Sequence, residues 1–149
     1  MEDFEKMIKI IKKRLASAAA WIILFLIIAA VIAILSVAGG TIMTFFGFHA
    51  DSFGSIILFF LLAGIIGFLG EILAKAFPSV LYKRSLLTFG GARIVFVTLD
   101  TIFSILSFLA ADALMGSVTA SDLALAVFSF LLAVLSLKEF SRELSASEE

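Results

Sequence analysis

The chain has 149 residues, of which 62% are hydrophobic and only 15% are charged, with a formal net charge of −1. Soluble domains carry about 45–50% apolar and about 25% charged residues, so this composition indicates a protein that folds in lipid. The chain has no cysteine and a single histidine, His49, which excludes disulfides, thiol chemistry and a metal site built from several histidines.

The first predicted element is an N-terminal amphipathic helix over residues 1–14. In MEDFEKMIKIIKKRL the apolar residues recur at helical spacing, and lysines and acids occupy the other positions. Such a helix anchors at a membrane surface or offers a docking surface to a cytoplasmic partner. We expect it to lie at the inner surface and to lead into the first membrane span. Its apolar positions are Phe4, Met7, Ile8, Ile11 and Leu15.

Four apolar stretches follow, each long enough, or nearly so, for a helix to cross about 30 Å of hydrocarbon. We predict helices because lipid-exposed backbone must satisfy its hydrogen bonds within one segment, and because the stretches do not alternate as barrel strands do. Residues 15–137 therefore form a predicted all-α membrane domain, and residues 138–149 form a cytoplasmic tail whose end, ELSASEE, is expected to be disordered. The four spans cover about residues 15–37, 53–76, 94–114 and 121–137.

Local signals predict where these helices begin and end. Ser52 precedes the second span, and Thr119, with Asp122 three residues later, predicts a capping box at the start of the fourth. Pro78 is predicted to stop the second span. After the first span, GGTIMTFFGF is predicted to fold back as an outer interfacial segment, with its glycines in the turn.

The basic residues lie on one side only of the predicted bundle. All eleven precede the first span, surround the connection between the second and third spans, or follow the fourth. The loops over about residues 38–52 and 115–120 hold none. By the positive-inside rule, this distribution predicts four spans with both termini in the cytoplasm. The basic residues are Lys6, Lys9, Lys12, Lys13, Arg14, Lys75, Lys83, Arg84, Arg93, Lys138 and Arg142.

Two acidic residues inside the predicted spans are the main candidates for a functional site. Glu71 lies on a glycine-bearing face of the second span, four residues before Lys75, and Asp100 lies on a small and polar face of the third, seven residues after Arg93. These offsets correspond to roughly 6 and 10 Å of helix, which places both acids in the predicted cytoplasmic half. A bare carboxylate at this depth costs about 2.5–3.5 kcal/mol on insertion scales, so we expect protonation, ion pairing or hydration. The predicted intramembrane polar cluster consists of Glu71, Lys75, Arg93 and Asp100.

Three roles for Asp100 stay open. It can be a polar contact that holds the second and third helices together, a switch or partner-sensing element, or part of a proton or ion pathway. The small and polar face that carries it is expected to meet other helices, while bulky residues such as Phe96 and Phe103 are expected to meet lipid.

The sequence carries no signal for catalysis. No serine–histidine–acid set, paired metal motif or phosphate loop is recognisable, so we predict no enzyme, no catalytic residue, no cofactor and no metal site. Nucleic-acid binding is not expected, because membrane topology accounts for the basic residues.

Two stretches carry a resemblance to a known family. Residues 47–77, GFHADSFGSIILFFLLAGIIGFLGEILAKAF, open a helix with DSFGS and close it with EILAKA. Residues 112–123, DALMGSVTASDL, close the third span with an aspartate and open the fourth after a short polar loop. Both stretches resemble the YrvL-like family of small regulatory membrane proteins of Gram-positive bacteria, over about residues 15–137. The residues that match the family pattern are Asp51, Ser52, Glu71 and Asp112.

The resemblance implies a regulator in the cell membrane that acts negatively on an alternative sigma factor, and it implies no catalytic residue. Besides the lipid bilayer, the implied partner is the sigma factor or an associated regulator. The N-terminal helix, the middle loop over residues 77–93 and the tail are the surfaces expected to meet it. The alternative is a small proton-coupled transporter or channel subunit, since ionisable residues lie inside the spans.

Overall fold

A computed structural model describes residues 1–146, without the side chains of residues 2, 3 and 6. Within that range the chain forms four α-helices and one two-stranded antiparallel sheet. Each helix is long and apolar enough to cross a membrane, which confirms the prediction of an all-helical chain with four such helices. The elements in chain order are α1 Glu2–Thr44, β1 His49–Ala50, α2 Phe53–Lys83, α3 Phe89–Leu114, β2 Val118–Thr119 and α4 Asp122–Ala146.

The chain divides into two compact units, Met1–Leu35 and Ser36–Glu149. The first unit is part of α1 and contains no break between the predicted interfacial segment and the predicted first span. The reason lies in the sequence, because this unit lacks glycine and proline and its ASAAAW segment has high helix propensity. A separate helix over residues 1–14 is therefore absent. Its apolar side chains are mostly exposed.

Helix α1 continues past its predicted end at Val37, and the predicted fold-back of the following segment is wrong. Gly39 and Gly40 lie inside the helix. The absence of a side chain at these positions allows neighbouring side chains to approach the helix closely. A Cβ atom at Gly39 would lie 2.8 Å from the ring of Phe60. The turn comes later, at Gly47, whose φ of +94° lies in the region that glycine adopts without strain.

Pro78 lies inside α2 and does not end it, contrary to the prediction. Proline removes one helical hydrogen-bond donor, but spanning helices tolerate this loss where neighbouring helices and hydroxyl groups compensate. Pro78 is fully buried, and the Ser79 hydroxyl donates to the carbonyl of Lys75 at 2.7 Å in the same turn. The predicted middle loop over residues 77–93 is therefore reduced to residues 84–88.

Helix α4 continues well past its predicted end at residue 137. Phe140 and Leu144 lie one turn apart and are buried, with 0% and 2% of their surfaces exposed. The Phe140 ring stacks on Phe96 of α3 with 4.3 Å between centroids and an interplanar angle of 9°. This contact corrects the prediction that Phe96 faces lipid. Helix α4 also extends to Ala146, so the first four residues of ELSASEE are helical rather than disordered. Residues 147–149 lie outside the described part.

Two hydrophobic cores hold the second unit together. The first lies beside the sheet and centres on Phe59, whose ring centroid is 5.3 Å from that of Phe48 and 5.6 Å from that of Phe108. The second lies at the opposite end of α2, α3 and α4 and centres on Phe96 and Phe140. The polar residues within the spans lie between these two cores.

Candidate functional site

A cleft of about 250 Å³ opens among α2, α3 and α4, between the two hydrophobic cores. Aromatic and aliphatic side chains line part of it, and acids and hydroxyl groups line the rest. Glu71 and Asp100, the two acids singled out from the sequence, both line this cleft. The polar lining residues are Glu71, Asp100, Ser104, Ser107 and Ser136.

Asp100 is the most deeply buried ionisable group of the cleft, with 6% of its surface exposed. Within the described part of the chain, its carboxylate forms no hydrogen bond and no ion pair. The charges of Glu71 and Lys75 are near enough to act on it electrostatically. A carboxylate that borders a cleft without a protein partner is a candidate to bind a cation.

Glu71 and Lys75 form an ion pair on α2, as their spacing of four residues favours. The distance from Lys75 Nζ to Glu71 Oε1 is 3.0 Å, and Glu71 is half exposed. Lys75 also lies within electrostatic reach of Glu139 and Glu143 on α4. Lys75 therefore pairs directly with Glu71 and acts on Asp100 only at longer range.

Arg93 lies apart from the other three residues of the predicted cluster. Its guanidinium carbon lies 5.8 Å from the centroid of the Phe89 ring, and it lines a different groove together with Thr98 and Leu137. Arg93 and Asp100 share one face of α3, but seven residues of helix separate them by about 10 Å. The structure therefore brings Glu71, Lys75 and Asp100 together and leaves Arg93 outside.

Gly64, Gly67 and Gly70 lie along α2, and their surroundings differ. A Cβ atom at Gly70 would lie 2.7 Å from Phe103 Cβ, and one at Gly67 would lie 3.0 Å from Ser107 Oγ, so both glycines permit close packing of α2 on α3. A Cβ atom at Gly64 would meet nothing within 4 Å. Gly64 instead borders the cleft.

Ser121 connects two segments at the end of the bundle opposite to the basic residues. Its role was not predicted from the sequence. Its hydroxyl donates to the carbonyl of Phe46 and accepts from the backbone N–H of Ala124 at 3.1 Å. Ser121 therefore caps α4, and the predicted cap at Thr119 is wrong, because Thr119 pairs with His49 in the sheet. The signal was present, since a serine immediately before an apolar helix is a common cap.

Asp112 also has a structural role at this end. Its Oδ1 accepts a hydrogen bond from the backbone N–H of Ala120 at 3.0 Å, which closes the loop between α3 and α4. The backbone N–H of Asp51 donates to the carbonyl of Ser117 at 3.1 Å, next to the two-stranded sheet. The two loops that lack basic residues are thereby joined to each other.

The family model described as regulatory protein YrvL matches residues 15–140. The chain belongs to the YrvL family. The match confirms the resemblance seen in the sequence and extends it to Phe140, which lies in the second core. The description of the YrvL family supports a regulatory role in general terms. No curated protein and no solved structure matches this chain.

Proposed function

We propose that this YrvL family protein is a non-enzymatic regulator in the cell membrane, with both termini in the cytoplasm. It restrains transcription that depends on an alternative sigma factor by binding the sigma factor or an associated regulator at its cytoplasmic face. The family description supports the regulatory role. The sigma-factor link comes from the family resemblance, and the surface described next carries the proposal structurally.

That surface lies where α2 and α4 end, and we call it the basic-end surface. It carries four exposed cationic residues, Lys83, Arg84, Lys138 and Arg142, together with the exposed acids Glu139 and Glu143. The second hydrophobic core, which includes the buried Phe140, supports it from beneath. A partner that binds a surface already ordered loses less conformational entropy than one that must order a tail. An ordered charged surface of this kind suits the docking of a cytoplasmic protein.

The proposed orientation rests on the distribution of charge, and one structural observation supports it. β1 pairs with β2, so the two loops that lack lysine and arginine meet at one end of the second unit. The basic-end surface lies at the other end of α2 and α4. Both arrangements agree with the positive-inside rule for a chain with cytoplasmic termini.

Cysteine labelling tests this orientation directly, because the chain has no cysteine of its own. Single cysteines at the exposed positions His49 and Thr119 should react with a membrane-impermeant maleimide in intact cells. Single cysteines at the exposed positions Arg84 and Ser145 should react only after permeabilisation. Labelling of the second pair in intact cells would contradict the orientation and the docking surface assigned from it.

The regulatory role is tested by transcript profiling in the native host. Deletion of the gene should raise transcripts from one set of promoters, and the wild-type chain should lower them again. A double variant, Lys138→Gln with Arg142→Gln, should reach the membrane at wild-type levels and fail to lower them. The matched control, Asp51→Asn with Asp122→Asn, removes two exposed charges at the opposite end and should act as the wild type does. An unchanged transcript profile after deletion would refute the proposal.

A small proton-coupled transporter or channel subunit is the second candidate function. It is favoured by one observation, the shared position of Glu71 and Asp100 in a cleft within the spans. The aromatic core around Phe59 counts against conduction, because it fills the bundle between the cleft and the sheet. Proton-driven flux into liposomes that disappears with Asp100→Asn would favour transport.

A further inference from the structure

We propose that the cleft among α2, α3 and α4 is a binding site for a small lipophilic monocation, an ammonium group on an apolar body. The positive charge pairs with Asp100, and the apolar body occupies the aromatic part of the cleft. This site does not depend on the regulatory function, because the argument uses only the charges and the shape of the cleft.

The balance of charge favours a cation. The cleft and its border carry the carboxylates of Glu71 and Asp100 and the ammonium of Lys75, and Glu139 and Glu143 of α4 also act on Lys75, so the local formal charge is negative. Lys75 is engaged by Glu71 at 3.0 Å, whereas Asp100 is 6% exposed and has no hydrogen-bond or ion-pair partner among the described residues. An isolated carboxylate within the spans is costly, and a single cation beside Asp100 relieves that cost.

The lining favours an organic cation over a metal ion. Phe60, Phe103 and Phe108 border the cleft, and aromatic rings attract ammonium groups while they accommodate an apolar body. Hard metal cations such as calcium take about six to eight oxygen ligands, whereas the described residues hold no group of three or more histidine, cysteine or acidic side chains that could bind a metal. The volume of about 250 Å³ lies below that of pockets for drug-sized molecules, so the ligand is small.

Gly64 contributes to the open space of the cleft. Glycine within a helix is destabilising relative to alanine, and it is usually explained by the close approach of a neighbour. Gly67 and Gly70 have such neighbours, but a Cβ atom at Gly64 would meet nothing within 4 Å. The missing side chain at Gly64 enlarges the cleft that Asp100 borders.

The test measures binding of benzyltrimethylammonium to the full chain in phosphatidylcholine nanodiscs by equilibrium dialysis, with empty nanodiscs as the background. We expect saturable binding of one ion per chain. Asp100→Asn removes the charge and keeps the shape, and it should weaken binding by about tenfold or more, as the loss of a charge-assisted contact does. Gly64→Leu adds a bulky side chain at the border of the cleft, where an added Cβ atom meets nothing within 4 Å, and should weaken binding to a similar extent. The control Asp51→Asn should bind as the wild type does.

Further measurements separate the proposal from its competitors. Neopentylbenzene, the uncharged isostere of the probe, should bind far more weakly than the ion. Circular dichroism should show wild-type helicity for Asp100→Asn and Gly64→Leu, so that lost binding reports the site and not unfolding. Equal binding of the isostere, unchanged binding by Asp100→Asn, or displacement of the probe by equimolar Na⁺ or K⁺ would each overturn the proposed ligand class. Absence of saturable binding to the wild type would overturn the site.

Discussion

Replacement of Gly64, Gly67 and Gly70 of α2 by alanine, one at a time, provides a graded test of the packing of α2 on α3. The same methyl group is added at three positions of one helix, so the intrinsic gain in helix stability, about 0.5–1 kcal/mol, is common to all three. The surroundings differ. The added Cβ meets nothing at Gly64, lies 3.0 Å from the Ser107 hydroxyl at Gly67, and lies 2.7 Å from Phe103 Cβ at Gly70.

The expected change in the free energy of unfolding depends on whether the atoms next to the added methyl group can move away from it. At Gly64 the intrinsic gain stands alone, so the variant should be more stable by about 0.5–1 kcal/mol. At Gly70 the neighbouring atom is attached to the backbone of α3, so the helices must separate, and overpacking of this kind costs about 1–3 kcal/mol. The net expectation for Gly70→Ala is a loss of about 1–2 kcal/mol. Gly67→Ala should fall between them, because the Ser107 hydroxyl can shift only by straining its hydrogen bond to Phe103.

The assay is reversible unfolding of the purified full chain in mixed micelles by sodium dodecyl sulfate, followed by circular dichroism. The three variants serve as one another's controls, since each carries the same chemical change on the same helix. The expected order of stability is Gly64→Ala, then Gly67→Ala, then Gly70→Ala, with about 2 kcal/mol between the extremes. Equal stabilities, or a Gly70→Ala protein as stable as the wild type, would refute the proposed contact between α2 and α3.

Two further expectations concern contacts that the sequence did not reveal. Phe140→Ala should destabilise the chain by about 3–5 kcal/mol in the same assay, because it empties a buried aromatic site. The control Phe130→Ala replaces a ring on the same helix that is 53% exposed, and it should destabilise the chain far less. Equal losses of stability in the two variants would argue against the stacked pair of Phe96 and Phe140. Ser121→Ala should lower the free energy of unfolding by about 1–2 kcal/mol through loss of the α4 cap, while Thr119→Ala should leave it nearly unchanged. The opposite ranking would indicate that Thr119 is the cap.

The sequence alone was sufficient for the number of helices and for the two acids of the site. Long apolar stretches predict helices because lipid leaves the backbone no other partner for its hydrogen bonds. Glu71 and Asp100 stand out because ionisable groups are rare in such stretches. Their shared position in one cleft agrees with the depths estimated from the flanking basic residues. Membership of the YrvL family was also recognisable from two stretches of sequence.

The wrong predictions share one physical cause. Each interpreted a local sequence signal without the residues that contact it in the tertiary structure. Pro78 was taken as a helix end, although it is itself buried within an unbroken helix, next to the Ser79 hydroxyl that donates to the carbonyl of Lys75. Gly39 was taken as a turn residue, although the approach of aromatic rings explains it. The segment around Phe140 was taken as a tail outside the membrane domain, although Phe140 and Leu144, one turn apart, give it a buried face.

Composition and charge by themselves therefore determined the all-helical class of this protein and predicted lipid as its solvent and the side of each loop, because these properties depend on each residue's transfer free energy and hardly on its neighbours. Only the tertiary structure decided which carboxylate lacks a partner, which glycine borders open space and which serine caps α4. These properties depend on distances of a few ångströms between residues far apart in the chain, and hydropathy and spacing carry no information on such distances.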